Sequence, residues 1–295
     1  MRGRTLQAMA VLVGFFGLWE LGVRLFGTPV YLLPPPSQIF AAFARAPGWY
    51  LGQAAYTLEA CLLGFTFALV AGVLAAVGIV YSRLLESTLY TLLVSLNSIP
   101  KIALAPLFII WMGTGIASKV AVAALIALFS IVIDTVLGLR SVDPEVLDMA
   151  RSMRASPLQI LLKIRFPSAL PAMLAGMKVA ISLSLVGAIA GEFVASQVGL
   201  GYVIMASQGM FQTTRVFVAI LLLGIMGTVL FYAIALLEYL VIPWHVSARH
   251  GKPAPTDASG HTSAGPDLHS RPANSTEKSP DKGFAGPRNR PGVSG

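Results

Sequence analysis

Cysteine is nearly absent from this chain, because Cys61 is the only one among 295 residues. It lies inside an apolar run, so no disulfide forms within the chain, and a small buried apolar role is predicted. Histidine is also scarce and occurs only after the last apolar run. His250, His261 and His269 fit no zinc-ligand spacing and have no cysteine partner. We therefore predict no metal site.

Charge is also scarce. Charged residues make up 12% of the chain and hydrophobic residues 56%, whereas a soluble domain usually has about 25% charged residues. This composition argues against a water-soluble protein and predicts contact with membrane lipid. The net charge of +8 does not indicate nucleic acid, because the basic residues stand beside apolar runs rather than in one patch with interleaved aromatic residues. We expect no nucleic-acid partner.

The chain has no phosphate-binding loop. The pattern G-x-x-x-x-G-K-[ST] surrounds a phosphate with backbone amides, and it does not occur here. Lys252 follows Gly251, but Pro253 comes next and no helix is predicted after it. We therefore expect no cofactor on this chain, and any ATP that drives its function is used by another polypeptide. No enzymatic activity is predicted either, because a membrane enzyme needs clustered catalytic or metal-binding residues and the apolar runs contain no histidine.

What the chain has in abundance is long apolar runs. A membrane-spanning helix needs about 20 mostly apolar residues, and about six such runs can be distinguished. We therefore predict an all-α integral membrane protein, with a Pro-rich and then amphipathic segment at the membrane surface that places Trp49 and Tyr50 near the headgroups. The predicted spans are residues 6–26, 54–80, 89–111, 119–139, 172–196 and 216–242.

The orientation follows from the basic residues between the spans. Most of them lie on the side that holds the N-terminus, which predicts cytoplasmic N- and C-termini and a cytoplasmic loop at 143–171. The N-terminal run is either a signal peptide or a retained first span; we favour the retained span, because no convincing small-x-small cleavage site follows it. Residues 1–250 form the predicted membrane domain. Residues 251–295 are rich in Pro, Gly, Ser and charge, so we predict a disordered cytoplasmic tail.

The loop between the fourth and fifth spans carries strong helix-start signals. Asp143 stands where it can cap a helix that begins with a proline. Ser156 and Gln159 have the spacing of a capping box. The pattern predicts two short helices that meet after Ala155 and end near Pro167. Structured helices between spans indicate a docking surface rather than a simple connector.

The same loop resembles the cytoplasmic "EAA" loop of ABC importer permeases, whose pattern is E-A-A-x(3)-G-x(9)-I-x-L-P. In this chain the E-A-A element is replaced by Asp148-Met149-Ala150, and the glycine is replaced by Arg154. The final I-x-L-P element corresponds to Ile164-Arg165-Phe166-Pro167. A glycine would permit a left-handed turn between the helices, which arginine does not favour. Either the turn is built differently, or the first helix continues to Ala155.

The resemblance extends over about residues 6–247. The stretches LLPPPSQIF, SIPKIALAPLFIIWMGTGIASKV, GEFVASQVGLGYVIMASQGMFQTTRVFVAILLLG and EYLVIPWH are similar to the nitrate/sulfonate/taurine-type branch. It implies a type I ABC importer permease in a bacterial inner membrane, working with a separate ATP-binding cassette subunit, an extracytoplasmic solute-binding protein and a second permease copy as a homodimer. The implied solutes are nitrate, sulfonates, taurine or pyrimidine and vitamin precursors. A self-sufficient secondary transporter or channel is the alternative, but we find no convincing internal repeat.

In this interpretation the first helix of the loop binds the ATPase. Four apolar residues have the spacing of one helix face, and the charged residues lie largely elsewhere and can make polar contacts. The predicted ATPase-coupling residues are Val146, Leu147, Asp148, Ala150, Arg151, Met153, Arg154 and Ala155.

The third span contains the predicted solute pathway. Pro100 and Pro106 indicate a kinked helix there, and Lys101 is the best candidate to meet an anionic solute. Asn97 and Ser98 are the nearby polar residues in the same pathway.

The other charged residues in or near the spans have more ordinary interpretations. Glu59 and Glu192 are expected at the outer membrane interface, with Lys119 near the outer edge. Lys178 can snorkel, and Asp134 pairs either with Lys178 or with a polar neighbour.

Overall fold

The computed structural model describes residues 2–90, 95 and 99–242, and within these residues the only regular secondary structure is helical. The tail predicted to be disordered lies outside the described residues. We label the principal helices α1 (Arg2–Leu25), α2 (Pro36–Arg45), α3 (Pro47–Tyr81), α4 (Ala105–Met112), α5 (Ile116–Arg140), α6 (Pro144–Ser152), α7 (Pro157–Ala195), α8 (Leu200–Gly209) and α9 (Thr213–Val241). Short helical turns also occur at Arg83–Leu85, Glu86–Tyr90 and Lys101–Leu104.

Four of the described helices are long and apolar enough to cross a membrane, namely α3, α5, α7 and α9. They contain the predicted spans 54–80, 119–139, 172–196 and 216–242 to within a residue at the C-terminal ends. The predicted first span coincides with the 24-residue helix α1. The all-α membrane fold predicted from the apolar runs is therefore confirmed.

The described part of the third predicted span differs from a kinked helix. Pro100 directly precedes a 3-10 turn, and Pro106 lies in the first turn of α4. A proline in a first turn breaks no hydrogen bond, because the amide at that position has no partner inside the helix. Within the described residues, neither proline therefore lies in the interior of an α-helix, where it would kink the helix.

Helix α5 lies at the centre, between α3 and α7. A Cβ on Gly64 would lie 2.5 Å from the Cβ of Ala123, and a Cβ on Gly187 would lie 2.6 Å from the Cα of the same alanine. Both neighbouring helices therefore approach α5 closely at Ala123, where small residues are required. The apolar cluster around this point includes Ala60, Cys61, Phe65, Ala127, Ile181 and Leu185.

A second apolar cluster joins α2, α8 and α9. It includes Ile39, Leu200, Val203 and Val218, and it also buries Tyr50 at the start of α3. The amphipathic segment forms helix α2, and the burial of Tyr50 means that only Trp49 of the two aromatic residues is exposed.

The loop at 143–171 has the predicted caps but a different second helix. The Asp143 side chain accepts the Glu145 amide at 3.0 Å, and Ser156 and Gln159 form the capping box. The helix that starts there does not end near Pro167, because it continues through a π-helical stretch, Leu161–Arg165, into the fifth span. The wider π turns accommodate Pro167, which has no amide hydrogen, without ending the helix.

The turn between α6 and α7 uses an arginine in a left-handed conformation. Helix α6 ends at Ser152, so it does not continue to Ala155, and Arg154 has φ +56°. The amide of Arg154 donates to Arg151 O at 2.9 Å and that of Ala155 to Ala150 O at 3.1 Å, the two bonds of a Schellman motif. The turn is thus the one that a glycine would favour, at a cost of about 1–2 kcal/mol for a residue with a Cβ.

Candidate functional site

The outward side of α6 carries an exposed apolar stripe. Met149 is 61% exposed and Met153, just past the end of the helix, is 76% exposed, with Val146 one turn earlier on the same side. Ala150 is only 6% exposed, and Leu147 is half-buried. The predicted single apolar face is therefore divided into two parts. Leu147 and Ala150 pack against the rest of this chain, whereas Val146 and Met153 are exposed. We call Val146, Met149 and Met153 the coupling surface.

Charged residues border the coupling surface. Arg151 Nη1 lies 2.9 Å from Asp148 Oδ1, and both side chains are well exposed. Exposed ion pairs of this kind contribute roughly 0–1 kcal/mol to stability, so these charges can exchange partners at little cost. Arg154 is also exposed, and Ala155 is half-buried at the turn.

The start of α7 is attached to the end of α3. The Tyr81 hydroxyl donates to Pro157 O at 3.0 Å, and the guanidinium of Arg165 lies 5.7 Å from the centre of the Tyr81 ring. Together with the capping box and the Schellman turn, these contacts hold α6 and the first turns of α7 to the membrane helices.

The predicted solute pathway is described only in part, since Asn97 and Ser98 lie outside the described residues. Pro100 is exposed, and Lys101 is half-buried in the 3-10 turn. The ammonium group of Lys101 lies 4.3 Å from the centre of the Phe129 ring on α5, within the range of a cation–π contact. The role of these residues in solute passage stays a prediction.

Lys178 and Asp134 both have polar partners, the first on a neighbouring helix and the second within its own helix. Lys178 on α7 forms an ion pair with Glu238 on α9, and both side chains are half-buried. Asp134 accepts a hydrogen bond from Ser130 at 3.2 Å. Of the two expectations for Asp134, a polar neighbour is confirmed and pairing with Lys178 is wrong.

Glu192, expected near the outer end of its helix, is buried within the protein three residues before the end of α7. The residue is 1% exposed. Its carboxylate accepts hydrogen bonds from Thr57 Oγ1 at 2.8 Å and from the Gly201 amide at 2.7 Å. Glu59 is exposed.

Lys119 is likewise fully buried within the protein, in the first turn of α5. Its ammonium group donates to Ala195 O, at 2.7 Å, and to Thr114 O. Sequence reasoning missed the roles of Thr57 and Lys119. The available signal was the presence of one acidic and one basic residue near the outer ends of apolar helices, since each needs polar partners in an apolar surrounding.

Comparison with known proteins agrees with this architecture. Residues 68–242 match the family described as the binding-protein-dependent transport system inner membrane component. The riboflavin transport system permease protein RibX of Chloroflexus aurantiacus is 38% identical over 78% of this chain and 86% of its own length. The formylaminopyrimidine transport permease protein ThiX of Halalkalibacterium halodurans is 34% identical over 82% of this chain and 98% of its own.

Solved structures show the same fold. A chain of the MetNI methionine ABC transporter, in an inward-facing conformation, superposes with a TM-score of 0.58 at 21% identity. The superposition covers 65% of the present chain and 96% of the MetNI chain.

The fold and these relatives define the class as a multi-pass permease of the ABC importer type. This chain belongs to the binding-protein-dependent transport system inner membrane component family, and it is the membrane-spanning permease subunit of an ABC importer. The resemblance inferred from the loop at 143–171 is confirmed. The alternative of a self-sufficient secondary transporter or channel is not supported, and the relatives are transport permeases rather than enzymes.

Proposed function

We propose that the coupling surface binds a separate ATP-binding cassette subunit, which hydrolyses ATP and moves the permease. The observation that carries this proposal is an exposed apolar stripe, with Met149 and Met153 at its centre, on a short helix that is capped locally. Methionine is enriched at protein interfaces, and a few buried anchors commonly supply most of the binding energy. Asp148, Arg151 and Arg154 form the charged rim of this contact.

We further propose that the cytoplasmic loop and both termini face the cytoplasm of a bacterium, that two copies of this chain form the pathway, and that an extracytoplasmic binding protein delivers the solute. The distribution of Lys and Arg supports the orientation. The family description, which names binding-protein-dependent transport, supports the delivery partner.

For the solute we propose a small heterocyclic compound. The relatives named for riboflavin and for formylaminopyrimidine are 38% and 34% identical to this chain. The two named for aliphatic sulfonates are 28% and 31% identical, and those named for nitrate and taurine are 25% and 24%. The proposed pathway contains Asn97, Ser98, Pro100 and Lys101. The ammonium group of Lys101 lies over the Phe129 ring.

The test uses Met149→Asp, because Ala150 is buried and a charge there would test folding instead. The permease would be reconstituted in vesicles with its ATPase and its binding protein. We expect the ATPase to bind Met149→Asp about 30-fold more weakly, as the loss of about 2 kcal/mol from an interface anchor implies. Met210→Asp is the matched control, since Met210 is 67% exposed and follows α8. It should bind the ATPase normally.

Three results would contradict the proposal. Normal ATPase binding and transport by folded Met149→Asp would exclude the coupling surface. Robust ATP hydrolysis by the permease alone would exclude a separate motor. Import of taurine or nitrate by the wild-type vesicles, with no import of riboflavin or a formylaminopyrimidine, would exclude the heterocyclic solute.

A further inference from the structure

The corner between α7 and α8 depends on side chains that are distant in sequence. The first amides of a helix have no partner within the helix and are commonly capped by a Ser, Thr, Asp or Asn at its start. The N-cap of α8 is Gly199, which has no side chain to do this. Three consecutive amides instead donate to side chains of α3 and α7: Gly199 to Gln53 Oε1 at 2.6 Å, Leu200 to Thr57 Oγ1 at 2.9 Å, and Gly201 to Glu192 Oε2 at 2.7 Å.

These bonds form one connected network. Thr57 Oγ1 accepts the Leu200 amide and donates to Glu192 Oε1, at 2.8 Å, so a single hydroxyl joins α3, α7 and α8. Thr57 and Leu200 are fully buried, and Glu192 is nearly so. A buried polar group that loses its partner is costly, so the three helix ends are fixed relative to each other as long as the network is intact.

The end of α7 is held from its other side by α5. The ammonium group of Lys119 donates to the carbonyl of Ala195, the last residue of α7, and a cation there also interacts favourably with the helix dipole. The side chains of Lys119 and Glu192 thus cap the two helix ends that meet at this corner.

Helix α7 reaches from this corner to the cytoplasmic loop. It contains 39 residues and begins at Pro157, directly after the turn that follows the coupling surface. At about 1.5 Å per residue it is nearly 60 Å long. The helix that carries Glu192 at one end is therefore the helix that starts beside the coupling surface at the other.

We propose that Thr57 and Glu192 are positioning residues for transport, which fasten α8 to α7 so that α8 moves with α7 when the ATPase displaces the other end. Helix α8 packs on α2 and α9 through Leu200 and Val203, so its displacement shifts that apolar cluster. This inference rests on the proposed binding of the ATPase at the coupling surface.

The test replaces Thr57 by valine, which keeps the shape but removes both hydrogen bonds. Spin labels at positions 193 on α7 and 205 on α8 would report their distance in a Cys61→Ala background, in the reconstituted complex. We expect one narrow distance distribution in the parent protein and a broad one in Thr57→Val. The number of solutes imported per ATP should fall about 10-fold, with basal ATP hydrolysis and ATPase binding unchanged.

Thr57→Ser and Ser184→Ala separate this role from ordinary packing. Thr57→Ser keeps the hydroxyl and should restore both readouts. Ser184 Oγ donates to Cys61 O at 2.8 Å, which is also a buried bond between α7 and α3, but it does not contact α8. Ser184→Ala should therefore behave as the parent protein. If Thr57→Val does not fold, Gln53→Leu removes the acceptor of the Gly199 amide and should broaden the same distance.

The inference is overturned if Thr57→Val, or Gln53→Leu in its place, keeps a narrow distribution and normal transport per ATP. It is equally overturned if Ser184→Ala lowers transport per ATP as much as the corner variants do. Failure of the proposed function gives a different result, because the parent protein would then not bind the ATPase through the coupling surface at all.

Discussion

The two ends of α7 are stabilised in opposite ways. At the end near Pro157 the caps are local and exposed, since Ser156 bonds to Gln159 three residues away, and the bond from Tyr81 to Pro157 is exposed as well. At the other end they are buried and long-range. Thr57 and Glu192 are separated by 135 residues, and Lys119 and Ala195 by 76.

We call the end of α7 that begins at Pro157 the adaptable end, and the end at Ala195 the fixed end. Exposed caps and ion pairs each contribute about 1 kcal/mol or less, so the exposed side chains of α6 and of the first turn of α7 can adjust locally to a partner. A buried network loses much more when one member is removed. The arrangement suits a protein that receives force at one end and must keep its geometry at the other.

Gly199→Val is the change expected to destabilise the fixed end most strongly. Gly199 has φ +106°, which residues with a Cβ rarely adopt, and a Cβ there would overlap the Glu192 carboxylate. We expect a loss of about 3 kcal/mol or more in stability, measured as a large drop in the unfolding temperature of the purified permease. Gly209→Ala at the other end of α8 has open space around it and should have little effect. Equal stability of the two variants would show that the corner is not a rigid element.

A smaller effect is expected from Ser156→Ala at the adaptable end. This change removes the side-chain acceptor of the Gln159 amide and should cost about 1 kcal/mol, confined to the first turn of α7. Hydrogen exchange of the first amides of α7 should speed up about fivefold, with no change at the corner. Ser152→Ala is the control, because Ser152 donates only to a backbone carbonyl of its own helix. Faster exchange at the corner in Ser156→Ala would contradict the division into two ends.

The adaptable end could be predicted from the sequence because its signals are local. Asp143 and the pair Ser156 and Gln159 are within three residues of the groups that they cap, and all of these caps were predicted. The main apolar spans could be predicted for the same reason, because the length and hydropathy of a span depend only on consecutive residues. The sequence left open whether Arg154 forms a left-handed turn or continues the helix. In the structure the two hydrogen bonds of the Schellman motif stabilise the left-handed turn.

The fixed end could not be predicted, because its partners are distant in sequence. Nothing near Glu192 indicates Thr57, and nothing near Lys119 indicates the carbonyl of Ala195. Helix α8 was missed because it is only 10 residues long and starts at a glycine without a capping side chain. The division of the α6 face also depends on tertiary contacts, since helical periodicity alone does not show that Ala150 is buried by this chain.

Helix α7 connects the two ends as one rigid helix, and the distance between spin labels at positions 158 and 193 tests this rigidity most directly. Both positions are exposed and lie on either side of the π-helical stretch. The expected distance is about 50 Å at 1.5 Å per residue. We predict the same narrow distribution in the ATPase complex with and without ATP. A second distance that appears with ATP would contradict the account, because it would show that the helix bends at Leu161–Arg165 and that movement at the coupling surface does not reach the corner.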